Sequence, residues 1–331
     1  MVILPSWLDM VHAELAQAPP FIIACLRSTH RAAPGHHEDS HHGGRGFVGQ
    51  ALAEQLLNDG HQVHLTDIVE PTVPPAATNR QNATCSKADL YEQPGVVLSK
   101  DLDAVYAFHG IMSAGSEDNF DLGYRVNLHS TLRLLEEIRK TCPGVRFVYA
   151  SSCAAYGTQK IMIEAAVNDY NRRGHIVGFT LRFPSITVRP GKPTQAASSW
   201  MSGIIREPLQ GQESVLPCPD DFKCWLCSPR TLVRNLVLCL TLPPDCMSPH
   251  VRQVLLPGIT ETVGSMLQAL RDVGGEEAVR LVRREDATPE IKAMLDSWPY
   301  EFDISRALAI GFVPDQAFRD TVEDFARSLK Q

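Results

Sequence analysis

At 331 residues the chain is long enough to bury one large core or two smaller ones, and its 44% apolar and 21% charged content is that of an ordinary globular protein. A formal net charge of −7 excludes a broad cationic face of the kind that binds nucleic acid. No apolar run reaches the length that crosses a bilayer, so the expectation is a protein of neither nucleic acid nor membrane.

The N-terminal stretch "MVILPSWLDMVHAELAQAPPFIIACL" has apolar patches, but Asp9 and Glu14 interrupt them and no basic segment precedes them, which argues against a secretory leader. The nine cysteines therefore read as reduced thiols of a cytoplasmic protein, not as a disulfide framework. "HHEDSHH" at 36–42 has metal-ligand chemistry, but "RAAPG" precedes it and it reads as solvated loop. Residues 1–42 are expected to form an irregular extension.

From residue 43 the pattern alternates short apolar runs with helical stretches, the mark of β–α–β units and a parallel sheet. "GGRGFVG" places Gly43, Gly46 and Gly49 three apart. The first suits a tight turn, the second lets a backbone approach a diphosphate, and the third lets the following helix pack closely on the sheet. In that helix Val48, Leu52 and Leu56 share one face and Gly60 suits the stop. The helix start presents free N–H groups and partial positive charge to an anion.

"QVHLTDIV" (62–69) is a buried strand ending near Asp67. A carboxylate about twenty residues beyond a glycine turn suits an adenosine ribose, and its charge repels a 2′-phosphate. The turn, helix, strand and acid together predict a dinucleotide site that prefers NAD. A parallel strand should run straight into such a turn, yet "GHHEDSHHG" precedes it and cannot be buried on both faces. "FIIACL" (21–26) has the right character but lies well upstream, so the first strand is expected to be atypical.

"LDAVYAF" (102–108) and "VRFVYA" (145–150) are further strands, flanking the amphipathic helix "NLHSTLRLLEEIRKT". "SSCAAYGTQK" (151–160) follows. Tyr156 and Lys160 are i, i+4 and would share a helix face, where the ammonium favours the phenolate as a base. Ser152, at a strand end, could donate to a substrate oxygen. "KIMIEAAVNDYNRRG" is the next helix and "VGFTLRF" (177–183) the next strand. After "VRPGKP" the rhythm loosens, which predicts a first domain over 43–190 and a second region over 191–331. "CWLC" at 224–227 has zinc-knuckle spacing but lacks a second doublet, so buried thiols and no metal are expected. The later region holds a helix after "SPR", a strand in "VRQVLLP", and helices in "TVGSMLQALRDVGG" and "FRDTVEDFARSLK".

The chain resembles an extended short-chain dehydrogenase/reductase of the NAD-dependent epimerase/dehydratase family, nearest its D-erythronate dehydrogenase branch. The segments that carry the resemblance are "GGRGFVGQALAEQLL", "IMSAGSEDNFDLGYRVN", "YGTQK", "LRFPSITVRPGKPTQAASSWMSGIIREPL" and "SWPYEFDISRALAIGF". The resemblance implies a Rossmann-like doubly wound α/β sheet with a smaller C-terminal substrate-binding part, and a homodimer. It implies that Gly43, Gly46, Phe47, Val48 and Gly49 surround the pyrophosphate, with Asp67 on the ribose and Asp89 by the adenine. Asn127 would support the site, Ser113 touch substrate or nicotinamide, and Pro184 and Ser185 line the nicotinamide pocket. Ser152, Tyr156 and Lys160 would be catalytic, Tyr156 and Lys160 also meeting the cofactor.

The reaction implied is oxidation of a secondary alcohol in a small sugar acid, with Arg189 and Arg206 as candidate forks for its carboxylate. Epimerase or dehydratase chemistry on a sugar or a secondary-metabolite intermediate is the alternative, and a non-catalytic NAD-binding protein is a third reading. The short Ser152–Tyr156 connection favours the third, and it is one of two departures from the family pattern. The family keeps a longer segment between its serine strand and tyrosine helix, whereas only three residues separate Ser152 from Tyr156, and the strand before Gly43 is missing. Tyr156 also matches a second family tyrosine that lies just after the serine motif, so the run is either one site or a splice of two.

Overall fold

The computed structural model describes residues 23–27, 46–111, 116, 119–154, 159–192 and 197–330. Seven strands form the main sheet in the order β10-β6-β5-β4-β1-β2-β3. They are β1 (Ile23–Arg27), β2 (Gln62–Asp67), β3 (Ala83–Lys87), β4 (Ala104–Ala107), β5 (Val145–Ser152), β6 (Ile176–Phe183) and β10 (Gln253–Leu255). The order is that of a doubly wound Rossmann-like sheet. Six strands run the same way, and β1 runs against both of its neighbours, pairing Ile23 with Thr66 of β2 and with Ala107 of β4.

The sequence predicts an atypical first strand but not its reversal, and β1 lies inside the stretch expected to be irregular. Without β1, the facing edges of β2 and β4 would leave two rows of backbone N–H and C=O groups unpaired. An apolar segment fills that slot in either direction, because a hydrogen-bond ladder forms both ways. In an ordinary β–α unit the short turn into the helix dictates a parallel strand. Here residues 28–45 intervene, so that constraint is gone.

Helix α1 (Phe47–Asn58) buries Leu52, Ala53, Leu56 and Leu57 completely against the sheet. Gly60 ends it at φ 86°, with Gly60 N–H donating to Leu57 O at 3.0 Å and His61 N–H to Leu56 O at 2.9 Å. These two bonds close the helix in the manner that a glycine stop allows. Across β4 the chain forms a short helix α2 (Phe120–Gly123), a π turn (Tyr124–His129) and α3 (Ser130–Thr141), which buries Leu134, Leu135 and Ile138. Helix α4 (Gln159–Arg172) returns between β5 and β6 and buries Ile163 and Val167.

The later region supports both parts of the molecule. Helix α5 (Ser199–Leu209), α7 (Val263–Arg280) and α10 (Phe318–Ser328) share a core that contains Ile204, Met266, Leu270 and Val322. A three-stranded sheet, β11 (Ile259–Thr262), β9 (Lys223–Cys227) and β7 (Ser185–Ile186), lies with them. Helix α6 (Pro229–Leu238) instead buries Leu232 and Leu236 in the main core beside Leu52, Val148 and Phe179, and β10 extends the main sheet. Among the described residues no helix is long and apolar enough to cross a membrane.

Candidate active site

The parallel strands place their C-terminal ends along one edge, and the conspicuous side chains collect there. Gly46 stands at the start of α1 with φ 63° and ψ 54°, a left-handed turn that a side chain would strain. No acidic residue lies in the first turn of α1, so that turn itself sets no carboxylate against the free N–H groups of the helix start. Gln50 Nε2 donates to Thr72 O at 3.0 Å, tying this helix start to the segment that leaves β2. Phe47 and Val48 are half-buried in that turn, and Gly49 is buried on the sheet-facing side. Gly43 lies outside the described residues.

Asp67 closes β2 and is only 5% exposed. Its Oδ1 accepts from Ile68 N–H at 2.6 Å, which turns the carboxyl over the strand end. At the exit of β4, Gly110 has φ 153°, and a Cβ there would come 2.9 Å from Asn127 Oδ1. Asn127 occupies the π turn and grips this exit with two bonds. Its Oδ1 accepts from Ile111 N–H at 2.7 Å, and its Nδ2 donates to Ile111 O at 3.3 Å. Asn127 therefore acts as a clamp on the strand exit. Buried His109 lies in the same exit, 2.9 Å from Thr131 Oγ1 through Nε2, and burial pulls its imidazole down to about 4.

Lys160 reaches back from the first turn of α4 and donates from Nζ to Ala150 O at 2.7 Å. Its ammonium stands 5.2 Å above the Tyr149 ring. Burial lowers its proton affinity from the ordinary 10.5 to about 8, and the Glu164 carboxylate works against that fall. Ser152, two residues beyond Ala150, ends β5 and accepts from Ala154 N–H at 3.1 Å. Ser152 and Lys160 thus converge on one strand end. A cation and a hydroxyl so placed can stabilise a developing oxyanion or hold a neighbouring phenolate in its charged form. Tyr156 and Ser113 lie outside the described residues, as do His36, His37, His41 and His42.

The model of the "NAD dependent epimerase/dehydratase family" matches residues 42–172. A D-erythronate dehydrogenase of Haemophilus influenzae is 36% identical over 308 residues, covering 86% of this chain and 96% of that protein. The chain belongs to the NAD dependent epimerase/dehydratase family. A D-erythronate dehydrogenase of Cupriavidus necator is 34% identical over 313 residues, with 86% and 96% coverage. Among solved structures, one described as the nucleoside-diphosphate-sugar epimerase of Agrobacterium tumefaciens is similar at 33% identity and a TM-score of 0.76, covering 88% of this chain and 96% of that one. The cofactor of the family is NAD, and the residues present fit it. The left-handed Gly46 turn, the acid-free helix start and the buried Asp67 form the cradle such a dinucleotide needs.

Within this family frame the structure gives several of the expected residues internal partners. Asp89 is committed within the protein, since its Oδ2 takes Arg125 Nη2 at 3.1 Å and its Oδ1 takes Tyr91 N–H at 2.8 Å. Arg206, 2% exposed, is locked to Glu207 Oε1 through Nη2 at 2.5 Å and Nε at 3.2 Å, and its Nη1 donates to Arg189 O at 3.0 Å. It serves as an internal ion pair and leaves no fork for a ligand. Arg189 differs. Burial and the nearby Arg206 draw its guanidinium down to about 10, and no carboxylate pairs with it among the described residues. Cys224 and Cys227 of β9 are the buried thiols that their spacing predicts, and they fall in separate hydrophobic clusters. Pro184 is buried between β6 and β7, and half-buried Ser185 begins β7.

Sequence reasoning passed over Glu164. It sits one turn beyond Lys160 on α4, 2% exposed, and holds Ser151 and Arg182 together. The available signal was an acid four residues after the lysine in an otherwise apolar helix face.

Proposed function

We propose that this protein oxidises a secondary alcohol of a small sugar acid of the D-erythronate type. NAD supplies the hydride acceptor when it is bound. The observation that carries the reading is the convergence of Ser152 and Lys160 on the C-terminal end of β5, along the same sheet edge as Gly46 and Asp67. The names of the two relatives that cover most of this chain favour a sugar acid over a neutral sugar.

In this proposal Gly43, Gly46, Phe47, Val48 and Gly49 cradle the diphosphate and Asp67 takes the adenosine ribose. Asp67 would also exclude a 2′-phosphate by like charge. Asp89, held by Arg125, shapes the adenine end, while Pro184 and Ser185 border the nicotinamide and Ser113 meets the substrate. Tyr156 removes the hydroxyl proton, Lys160 holds the phenolate charged, and Ser152 donates to the oxygen under reaction. Arg189 is the carboxylate fork, because of the two candidates it is the one that no carboxylate pairs among the described residues. Residues 43–190 form the NAD-binding part and 191–331 contribute the substrate side. The eight described cysteines are all free, which suits a cytoplasmic enzyme. Exposed Phe120 and Met162, on α2 and α4, suit a homodimer formed through helices.

The test is to titrate NAD against the purified protein and then supply a panel of aldonic acids while following nicotinamide absorbance. Saturable binding with NADH build-up is the expected result. Inversion of a substrate stereocentre without NADH build-up would instead favour an epimerase, the reading to which the 33%-identical structure points. Binding with no conversion would mark a non-catalytic NAD-binding protein, the consequence of the short Ser152–Tyr156 connection. Absence of binding would overturn the proposal.

A further inference from the structure

Glu164 is a buried carboxylate to which the reaction above assigns nothing. Its Oε1 accepts from Ser151 Oγ at 2.5 Å and from Arg182 Nε at 3.0 Å, while its Oε2 accepts from Arg182 Nη2 at 2.6 Å. Ser151 and Arg182 face each other in register across β5 and β6. The carboxylate therefore staples the two strands at the end where Ser152 stands, and does so from the helix that carries Lys160. Ala150, whose carbonyl receives the Lys160 ammonium, precedes Ser151. One side chain thus fixes the strand end, the helix start and the electrostatic surroundings of the lysine.

We propose that Glu164 is a positioning residue that keeps Lys160 cationic and aimed at the end of β5, acting through its buried negative charge and its bonds to Ser151 and Arg182. Lys160 is otherwise in unfavourable company. It is desolvated, Arg182 of β6 pairs with and partly neutralises the carboxylate that favours its charge, and the His109 imidazole approaches from the exit of β4. From β5 it meets the Tyr149 ring and the Ala150 carbonyl, neither of which carries a charge. Glu164 is the described carboxylate that favours its charged form. A single helical turn separates the two residues, and opposite charge at that distance moves a proton affinity by about 1–3 pH units.

The inference rests on reading Lys160 as the cation of the site, and its test needs no turnover. The rate at which an acylating reagent modifies Lys160 is followed by mass spectrometry across pH, in the full chain and in Glu164→Gln. The amide keeps the shape of Glu164 and can still bond Ser151, but it removes the charge. The midpoint for Lys160 is expected to fall by about one unit, roughly a tenfold gain in labelling rate below the midpoint. Glu164→Asp, which retains the charge, should recover most of the shift. An unchanged midpoint in a folded Glu164→Gln protein would overturn the proposal. Should Glu164→Gln fail to fold, Arg182→Gln decides the matter. Removing that cation while Glu164 stays charged must raise the midpoint, and no rise would overturn the proposal. Loss of NAD binding or turnover in the parent protein would refute the enzyme reading and leave these midpoints interpretable.

Discussion

Replacing Lys160 by methionine separates the energetic cost of a buried cation from its chemical use. Burial holds the Lys160 ammonium near 8, whereas in the unfolded chain it returns to its ordinary 10.5. Each unit is worth ~1.4 kcal/mol, so the charged lysine costs the fold on the order of 3 kcal/mol at neutral pH. The cost is complete below pH 8, where both folded and unfolded chains carry the proton. Between about 8 and 10.5 the unfolded chain binds more protons than the folded one, so stability rises with pH, and above that window the cost is gone. Methionine carries no such term, but it strands the Ala150 carbonyl, a loss of about 1–3 kcal/mol that hardly varies with pH.

The two contributions nearly cancel near pH 7, where Lys160→Met should unfold close to the parent protein. Near pH 11 only the loss remains, and the variant should be less stable than the parent. Relative to the parent it should therefore lose roughly 3 kcal/mol between these pH values, read from urea midpoints at each. A difference that stays constant with pH would show that the lysine is not held in a desolvated, proton-poor state, and the argument from burial would fail. NADH formation should be abolished in the variant at every pH.

Asp67→Ala should weaken NAD binding at least tenfold by calorimetry while improving the relative affinity for NADP, since both follow from one carboxylate. Asn127→Ala leaves the buried Ile111 N–H without its acceptor and frees the exit of β4, at a cost of about 2–3 kcal/mol in denaturant unfolding. Arg189→Gln should raise KM for an aldonic acid at least tenfold and leave NAD affinity unchanged, whereas Arg206→Gln should lower stability instead, because it abandons the Glu207 charge in the interior.

Much of this molecule could be read from local sequence. The apolar runs of β2, β4, β5 and β6, the stripe of Leu52 and Leu56, the glycine stop at Gly60 and the acid at the end of β2 each depend on neighbours within a few residues. Side-chain periodicity and backbone conformation therefore announce them. The short connection from Ser152 left open whether Lys160 would reach the end of β5, and only the fold shows its ammonium on the Ala150 carbonyl.

Tertiary structure decided the choices that local pattern leaves equal. "FIIACL" is a strand by composition, but its place between β2 and β4 and its reversed direction follow from an open pair of edges and a long connection to Gly46. Arg189 and Arg206 are chemically the same in sequence. Packing puts the Glu207 carboxylate against Arg206 and none, among the described residues, against Arg189, so of the two only Arg189 keeps its charge available. Glu164 was one more helical acid until the register of β5 on β6 brought Ser151 and Arg182 to it. Electrostatic roles depend on which groups share a low-dielectric space, and that sharing is set by contacts far apart in the chain.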